Sequence, residues 1–219
     1  MVDVATLIDS LVVLGHPKNK SNPKTRDSWL WVYDRVVVFD PEIILKQLVV
    51  AKEMVKSSLW VWKNVLVICE KAFYKVDIEE MSKKYWFHYL NHKVPSWVLT
   101  NFDTMLSSIR SLKTLRTYVE SDSFSTLTKK EQSMKKRELV KVEKVYKWVS
   151  ELRKKPDLVV IVDWQLMHKF VLEVEKMSSP AIVLSSSNFD KILEDSCVVT
   201  CNINSKKSLD VVLSSIFWA

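Results

Sequence analysis

Only one of the 219 residues is glycine, Gly15, where ordinary usage of about 7% would supply roughly fifteen. That scarcity limits what the chain can build. Nucleotide-binding enzymes of the α/β class cradle phosphates on glycine-rich turns, because a Cβ would hold the backbone away from the ligand. Neither a GxGxxG turn nor a Walker loop can exist here. The turn after the apolar run Asn64 to Cys69 reads Glu70-Lys71-Ala72, and its Glu would repel a phosphate. Turns that ordinarily take glycine at positive φ must be made by residues carrying a Cβ.

Four short, continuously apolar runs rich in β-branched residues read as strands buried on both faces: Asn64 to Cys69, Leu158 to Val162, Ala181 to Leu184 and Cys197 to Cys201. Helical spacing surrounds them. Pro41 suits the first turn of a helix capped by Asp40, with Ile44, Leu48, Ala51 and Val55 on one face. Glu79 to Tyr85, Gln165 to Met177 and Ser205 to Phe217 are helical stretches, and Trp86 to Tyr89 a further strand. Trp29 to Tyr33 and Val36 to Phe39 form strands around an Asp34-Arg35 turn. Asp3 to Val13 predicts a helix stopped at Leu14-Gly15, followed by a polar loop stiffened by Pro17 and Pro23. Strands alternating with helices predict a parallel α/β sheet with right-handed crossovers.

One segment interrupts the alternation. Asn101 to Val119 presents Phe102, Met105, Ile109, Leu112 and Leu115 along one face. Lys129 to Leu152 presents Leu139, Val142, Val145, Val149 and Leu152, near the spacing of a coiled-coil seam. Glu120 to Thr128 is a polar turn between them, and Thr128 with Glu131 makes a capping box. The expected architecture is an α/β body, residues 1–100 and 157–219, from which an antiparallel helical hairpin, residues 101–156, protrudes.

Net charge is +7, and its distribution is uneven. Gly15 to Ser28 holds Lys18, Lys20, Lys24 and Arg26 against Asp27 alone, and Lys129 to Lys155 holds eleven Lys/Arg against four Glu. From Pro156 onward acids outnumber bases. A basic excess gathered into two segments is the footprint of a nucleic-acid binder, set against the plainer reading of a solvated charged face. The loop mixes cations with His16, Asn19 and Asn22, which offer donors and acceptors to phosphates and ribose hydroxyls of folded RNA. The helical pair adds Arg110, Lys113, Arg116, Lys129, Lys130, Lys135, Lys136, Arg137, Lys141 and Lys144.

No constellation of catalytic residues competes with this. His88 and His92 lie four apart without an His-Glu-x-x-His helix, and Pro95 breaks any helix there. Cys197 and Cys201 share a strand face but lack a second pair of zinc ligands, and three cysteines in apolar surroundings suit a reducing compartment. Asp157 and Asp163 bracket a strand and read as cap and turn residues. No cofactor, metal or small-molecule substrate is expected. No run of eighteen apolar residues predicts a membrane span, and Met1 to Val13 lacks the pattern of a signal or transit peptide.

Leu14-Gly15-His16-Pro17-Lys18-Asn19-Lys20-Ser21-Asn22-Pro23-Lys24 closely resembles the N-terminal signature of the small-subunit ribosomal protein two family, bacterial and organellar type. That family reads Gly-His-x-Lys, then Trp-Asn-Pro-Lys. Asn91-His92-Lys93 followed by Leu99-Thr100-Asn101-Phe102 is similar to its second signature, continued by Ser108 to Lys113. Leu127 to Glu131, Arg137-Glu138 and Val142-Glu143-Lys144 resemble the second arm of its hairpin. Pro156-Asp157 to Val162-Asp163, and Pro180 to Leu184 with Asn188 and Asp190, resemble its later strands. Ser96-Trp97 stands where the family has Gly-Gly, Ser21 where it has Trp, and a glycine after the second arm is replaced near Trp148.

The resemblance implies a flavodoxin-like parallel sheet with a protruding coiled-coil hairpin. It also implies binding to small-subunit ribosomal RNA near the junction of head and body, beside neighbouring ribosomal proteins, in support of translation and without enzymatic activity. The loop would contact RNA through His16, Lys18, Asn19, Lys20, Asn22, Lys24 and Arg26. Lys93, Thr100 and Asn101 would act at the base of the hairpin and its cations along the arm. The alternatives are a protein–protein module using the hairpin and an α/β enzyme with an unrecognised pocket. Scarce glycine beside nine tryptophans reads as the compositional drift of a small organellar genome. A mitochondrion is therefore the expected location, ahead of a plastid or a bacterial cytoplasm.

Overall fold

The computed structural model describes residues 2–60, 64–92, 94, 97–150, 152–190 and 195–217. In chain order it forms α1 (Val4–Asp9), β1 (Leu14–Pro17), β2 (Trp29–Tyr33), β3 (Val36–Phe39), α2 (Pro41–Trp60), β4 (Val65–Ile68), α3 (Lys75–Tyr85) and β5 (His88–Leu90). There follow α4 (Phe102–Glu120), α5 (Asp122–Ser125), α6 (Lys129–Tyr146), β6 (Leu158–Val162), α7 (His168–Met177), β7 (Ala181–Ser185), β8 (Ser196–Thr200) and α8 (Lys206–Phe217). Strands β5-β4-β6-β7-β8 make one parallel sheet in that order. A smaller antiparallel sheet has the order β1-β3-β2.

Every residue of β4, β6 and β7 is buried, so alternate side chains serve two cores. Val65, Val67, Leu158, Val160, Val162, Ile182 and Leu184 point to one face, packed with α2, α8 and the small sheet. Leu66, Ile68, Val159, Ile161 and Val183 point to the other, with α7 and the start of α4. Each such side chain contributes about 1.5–3 kcal/mol on leaving water, which is why these runs carry no polar alternation. The result is the expected α/β fold of flavodoxin-like type, a parallel sheet with helices on both faces.

Local signals act as read. The Glu42 N–H donates to Asp40 Oδ1 at 2.9 Å ahead of Pro41, and Ile44, Leu48, Ala51 and Val55 are buried. Thr128 and Glu131 close a reciprocal capping box on α6. Helices α4 and α6 lie against each other, joined by an Arg116–Glu143 ion pair of 2.7 Å. Phe102, Met105 and Ile109 of α4, with Val149 and Leu152 beyond α6, pack into the sheet's second core.

Four expectations are corrected, and one is the helical pattern read over Lys129 to Leu152: α6 ends at Tyr146, a 3-10 turn over Lys147–Val149 follows, and Leu152 is not helical. The helix expected over Asp3 to Val13 ends at Asp9, and Leu11 turns the chain at φ 59. Leu14 to Pro17, expected as helix stop and loop, is a strand on β3. Its backbone needs a long-range partner and leaves no local periodicity to read. The polar turn after α4 contains a helical turn around buried Phe124. Gly15 is no left-handed stop: it carries no positive φ. A Cβ there would meet Ser187 Oγ at 3.1 Å, Phe39 Cζ at 3.2 Å and Val37 Cβ at 3.2 Å. The chain's one glycine serves close approach, and positive φ falls to Leu11, Asp34, Arg35, Trp86, Asp163, Ser178 and Asp195.

Candidate nucleic-acid interface

The basic loop is clasped to the end of β7. The His16 N–H donates to Ser187 Oγ at 3.0 Å, and the hydroxyls of Ser21 and Ser187 are 2.7 Å apart. The Asn22 N–H and the Thr25 hydroxyl both donate to the Ser187 carbonyl, at 2.7 and 2.9 Å. Asn22 also caps a 3-10 turn begun by Pro23, its Oδ1 accepting from the Lys24 N–H at 2.9 Å. Polar groups that would cost about 1–3 kcal/mol each if buried unpaired are thereby satisfied, and the loop is fixed in shape.

From that support Lys18, Asn19, Lys20, Lys24 and Arg26 are exposed, while His16 and Asn22 are half-buried. Lys24 is partly committed, since its ammonium donates to the Asp190 carbonyl at 3.1 Å. Burial holds the His16 ring below its usual pKa; Lys71 and Lys20 push the same way and Asp163 opposes them. The ring is neutral at neutral pH, so it offers a donor and an acceptor and no charge. Beneath it the Lys71 ammonium donates to Asn204 Oδ1 at 3.0 Å and pairs with Asp163.

At the foot of α4, Glu173 of α7 accepts from the N–H groups of Leu99 and Thr100 at 2.9 and 3.2 Å. Burial raises the Glu173 pKa against those bonds. Asn101 is exposed, and its Oδ1 accepts from the Thr104 hydroxyl at 2.6 Å. Lys93 lies outside the described residues, as does Ser96.

Along the two helices Arg110, Lys113, Lys129, Lys130, Lys136 and Arg137 are exposed. Arg116 is held by Glu143, Lys135 by Glu138 at 2.9 Å, and Lys136 lies over the Phe124 ring at 5.6 Å. A shallow groove of about 560 Å3 on α6 is lined by Lys129, Gln132, Lys136, Arg137 and Lys141. The structure thus gathers the loop cations at one end of the sheet and the remaining ones on the α4–α6 pair.

The residues weighed for chemistry are otherwise engaged. The Asp157 carboxylate accepts from the Asn64 N–H at 3.0 Å, and Asp163 Oδ1 accepts from the Gln165 N–H at 3.0 Å. His92 Nδ1 lies 3.2 Å from the Lys75 ammonium. Cys197 and Cys201 are buried, and desolvation pushes their thiols up to about 11 and about 12. Sequence reasoning missed Ser187, Glu173 and the Lys71–Asp163 pair. Three serines in succession at a strand's end, all buried, were the one signal available for the first.

Fold and surface define a basic α/β protein whose polar residues hold loops in place. Residues 7–219 match the family model for Ribosomal protein S2. The chain is 28% identical over 216 residues to the small ribosomal subunit protein uS2 of Synechocystis sp., covering 99% of this chain and 80% of that protein. It is 27% identical over 216 residues to uS2 of Petrotoga mobilis, covering 99% and 75%. With uS2c of Cyanidium caldarium it shares 25% identity over 213 residues, covering 97% and 87%. The chain belongs to the ribosomal protein S2 family. It is accordingly a structural, non-enzymatic constituent of the small ribosomal subunit.

Proposed function

We propose that this protein binds small-subunit ribosomal RNA near the junction of head and body, touches neighbouring small-subunit proteins and so supports translation. The observation that carries the reading is the clasp on Ser187, which presents Lys18, Asn19, Lys20 and Arg26 on a fixed support. A preformed cationic loop loses little conformational freedom on meeting a phosphate backbone and displaces condensed counterions from it. His16 and Asn22 add uncharged hydrogen-bonding groups suited to ribose hydroxyls. Residues 101–156 act as an arm whose cations extend the contact, with Thr100 and Asn101 at its root, and Lys93, outside the described residues, also contacts RNA.

The protein works in a mitochondrial small subunit. Support comes from composition, one glycine beside nine tryptophans, while the relatives compared are of bacterial and plastid type. No described helix is long and apolar enough to cross a membrane.

The test is co-sedimentation of the tagged protein with small subunits in mitochondrial, plastid and cytosolic fractions, followed by RNA binding at graded salt. Replacing Lys18 and Lys20 by Ala lowers the slope of log affinity on log salt by about one unit per lost phosphate contact. An unchanged slope excludes the loop from the interface.

A further inference from the structure

The order of the parallel sheet reverses between β4 and β6. The crossover from β4 carries α3 to one face and leads to β5, whereas that from β6 carries α7 to the other face and leads to β7. Turns that diverge in this way leave a crevice beyond the carboxyl ends of the two strands, the place where open α/β sheets take ligands. A cleft of about 770 Å3 lies there. Glu70 lines it from the turn after β4 and Gln165 from the turn after β6, and Val145 and Tyr146 reach it from the end of α6. Met167 and Phe170 are its buried apolar lining. Three rings border it, those of Trp97, Tyr146 and His168. His168 is set against the Trp164 ring, 5.2 Å between centroids. Trp97, 37% exposed, stands where the family has glycine, so this wall is the chain's own.

Inside the cleft Lys169 offsets Glu70, and the lining suits an uncharged group. Its flanks are cationic. On one side Lys144 is exposed, one residue before Val145. On the other the basic loop brings His16 within electrostatic reach of Lys71 and Asp163, which adjoin Glu70 and Gln165 in the two turns. A polyanion touching both the loop and α6 therefore crosses the opening with phosphates on its flanks and a neutral, ring-bordered gap between them. Glu70 accepts from the Val94 N–H with one oxygen and can accept from a base N–H with the other. The Gln165 amide, whose oxygen accepts from Asn188 Nδ2 at 2.8 Å, can donate to a base carbonyl or ring nitrogen. An apolar peptide side chain would leave Glu70 and Gln165 without partners.

We propose that this cleft receives one unstacked nucleobase of the small-subunit RNA, stacked against Trp97 and read at its edge by Glu70 and Gln165; this rests on the reading of the loop and α6 as RNA contacts.

The experiment irradiates purified small subunits containing the full chain with ultraviolet light and maps the adducts by mass spectrometry. The expected product is a nucleotide joined to the peptide of Trp97 or Tyr146. A second measurement is filter binding of the full chain to small-subunit RNA at graded salt. Trp97→Ala lowers affinity by about tenfold at every salt, with the salt slope unchanged because no phosphate contact is lost. Trp97→Phe keeps most of the affinity. Leu166→Ala, at a 54% exposed position of the same cleft, lowers it in the same sense. As a control the isolated chain is irradiated with free nucleoside monophosphates, and no adduct is expected. An adduct in that control but not in subunits, a cross-link to another polypeptide, full affinity in both alanine variants, or a lowered slope in Trp97→Ala overturns the base site. A chain absent from small subunits overturns the ribosomal reading as well. A chain whose slope falls on losing Lys18 and Lys20, while both cleft variants bind normally, overturns the base site alone.

Discussion

The Nζ of Lys71 stands 2.6 Å from Oδ2 of Asp163, and both side chains are almost withdrawn from solvent. Asp163 sits at φ 71 just after β6, and its other oxygen receives the Gln165 N–H. Lys71 belongs to the turn after β4. One ion pair therefore ties two crossover turns together beneath the basic loop. Lys71→Met strands a buried carboxylate and is expected to cost about 3–5 kcal/mol. Pairing it with Asp163→Asn restores part of that loss. Urea denaturation of both single variants and the double variant checks this, and an additive cycle rules out coupling.

Gly15→Ala is expected to destabilise by about 1–3 kcal/mol, because the new methyl enters a space already bounded by Val37, Phe39 and Ser187. It pushes on the Ser187 clasp, so RNA affinity falls with stability. Thermal melts and filter binding on the same preparations check both. If stability rises, the packing argument is wrong.

Substituting glycine should help elsewhere. Trp86, 88% exposed, ends α3 at φ 60, and Ser178 ends α7 at φ 45. A Cβ in that region costs roughly 1–2 kcal/mol, while added freedom of the unfolded chain takes back about 0.4–1 kcal/mol. Trp86→Gly and Ser178→Gly are each expected to gain about 0.5–1 kcal/mol, read as a higher melting temperature. Ser178→Ala, which keeps the Cβ, gains nothing.

Stability should depend on pH through the histidines. Burial, then the neighbouring ammonium groups, lowers the pKa of His16 and of His92 from 6.5. Below pH 6.5 the unfolded chain takes up protons that the folded chain refuses. Stability present above pH 6.5 is thus lost as pH falls toward the folded values. Glu173 acts in reverse: burial raises its pKa above 4.5, so its contribution is present below 4.5 and lost as pH rises through the folded value. Replacing both histidines by Gln is expected to flatten the decline below pH 6.5. Chemical denaturation across that range measures it, and an unaltered decline would assign it to carboxylates.

Elements whose reason is local were legible in the sequence. The buried strands announced themselves as unbroken aliphatic runs, and α2 and α6 by their caps. The apolar spacing of α4 was visible, whereas that read over Lys129 to Leu152 ran past the end of α6 to Val149 and Leu152, which pack into the sheet's second core. Strand β1 was not legible, since Leu14 to Pro17 has neither apolar run nor alternation and exists because β3 accepts it. The same limit applies to the candidate interface. Lys18, Lys20 and Arg26 could be read as a charge cluster, whereas Ser187 and Glu173 act across 171 and 74 residues of chain. Only the folded topology brings such partners together.

Helix α6 contains no buried residue along its 18 positions. Its backbone bonds are therefore shielded chiefly by α4, and opening it exposes little apolar surface. Its amides exchange with deuterium ahead of those in the parallel sheet, and occupancy of its cationic side by a polyanion slows that exchange. Helix α6 is thus expected to open and close independently of the parallel sheet.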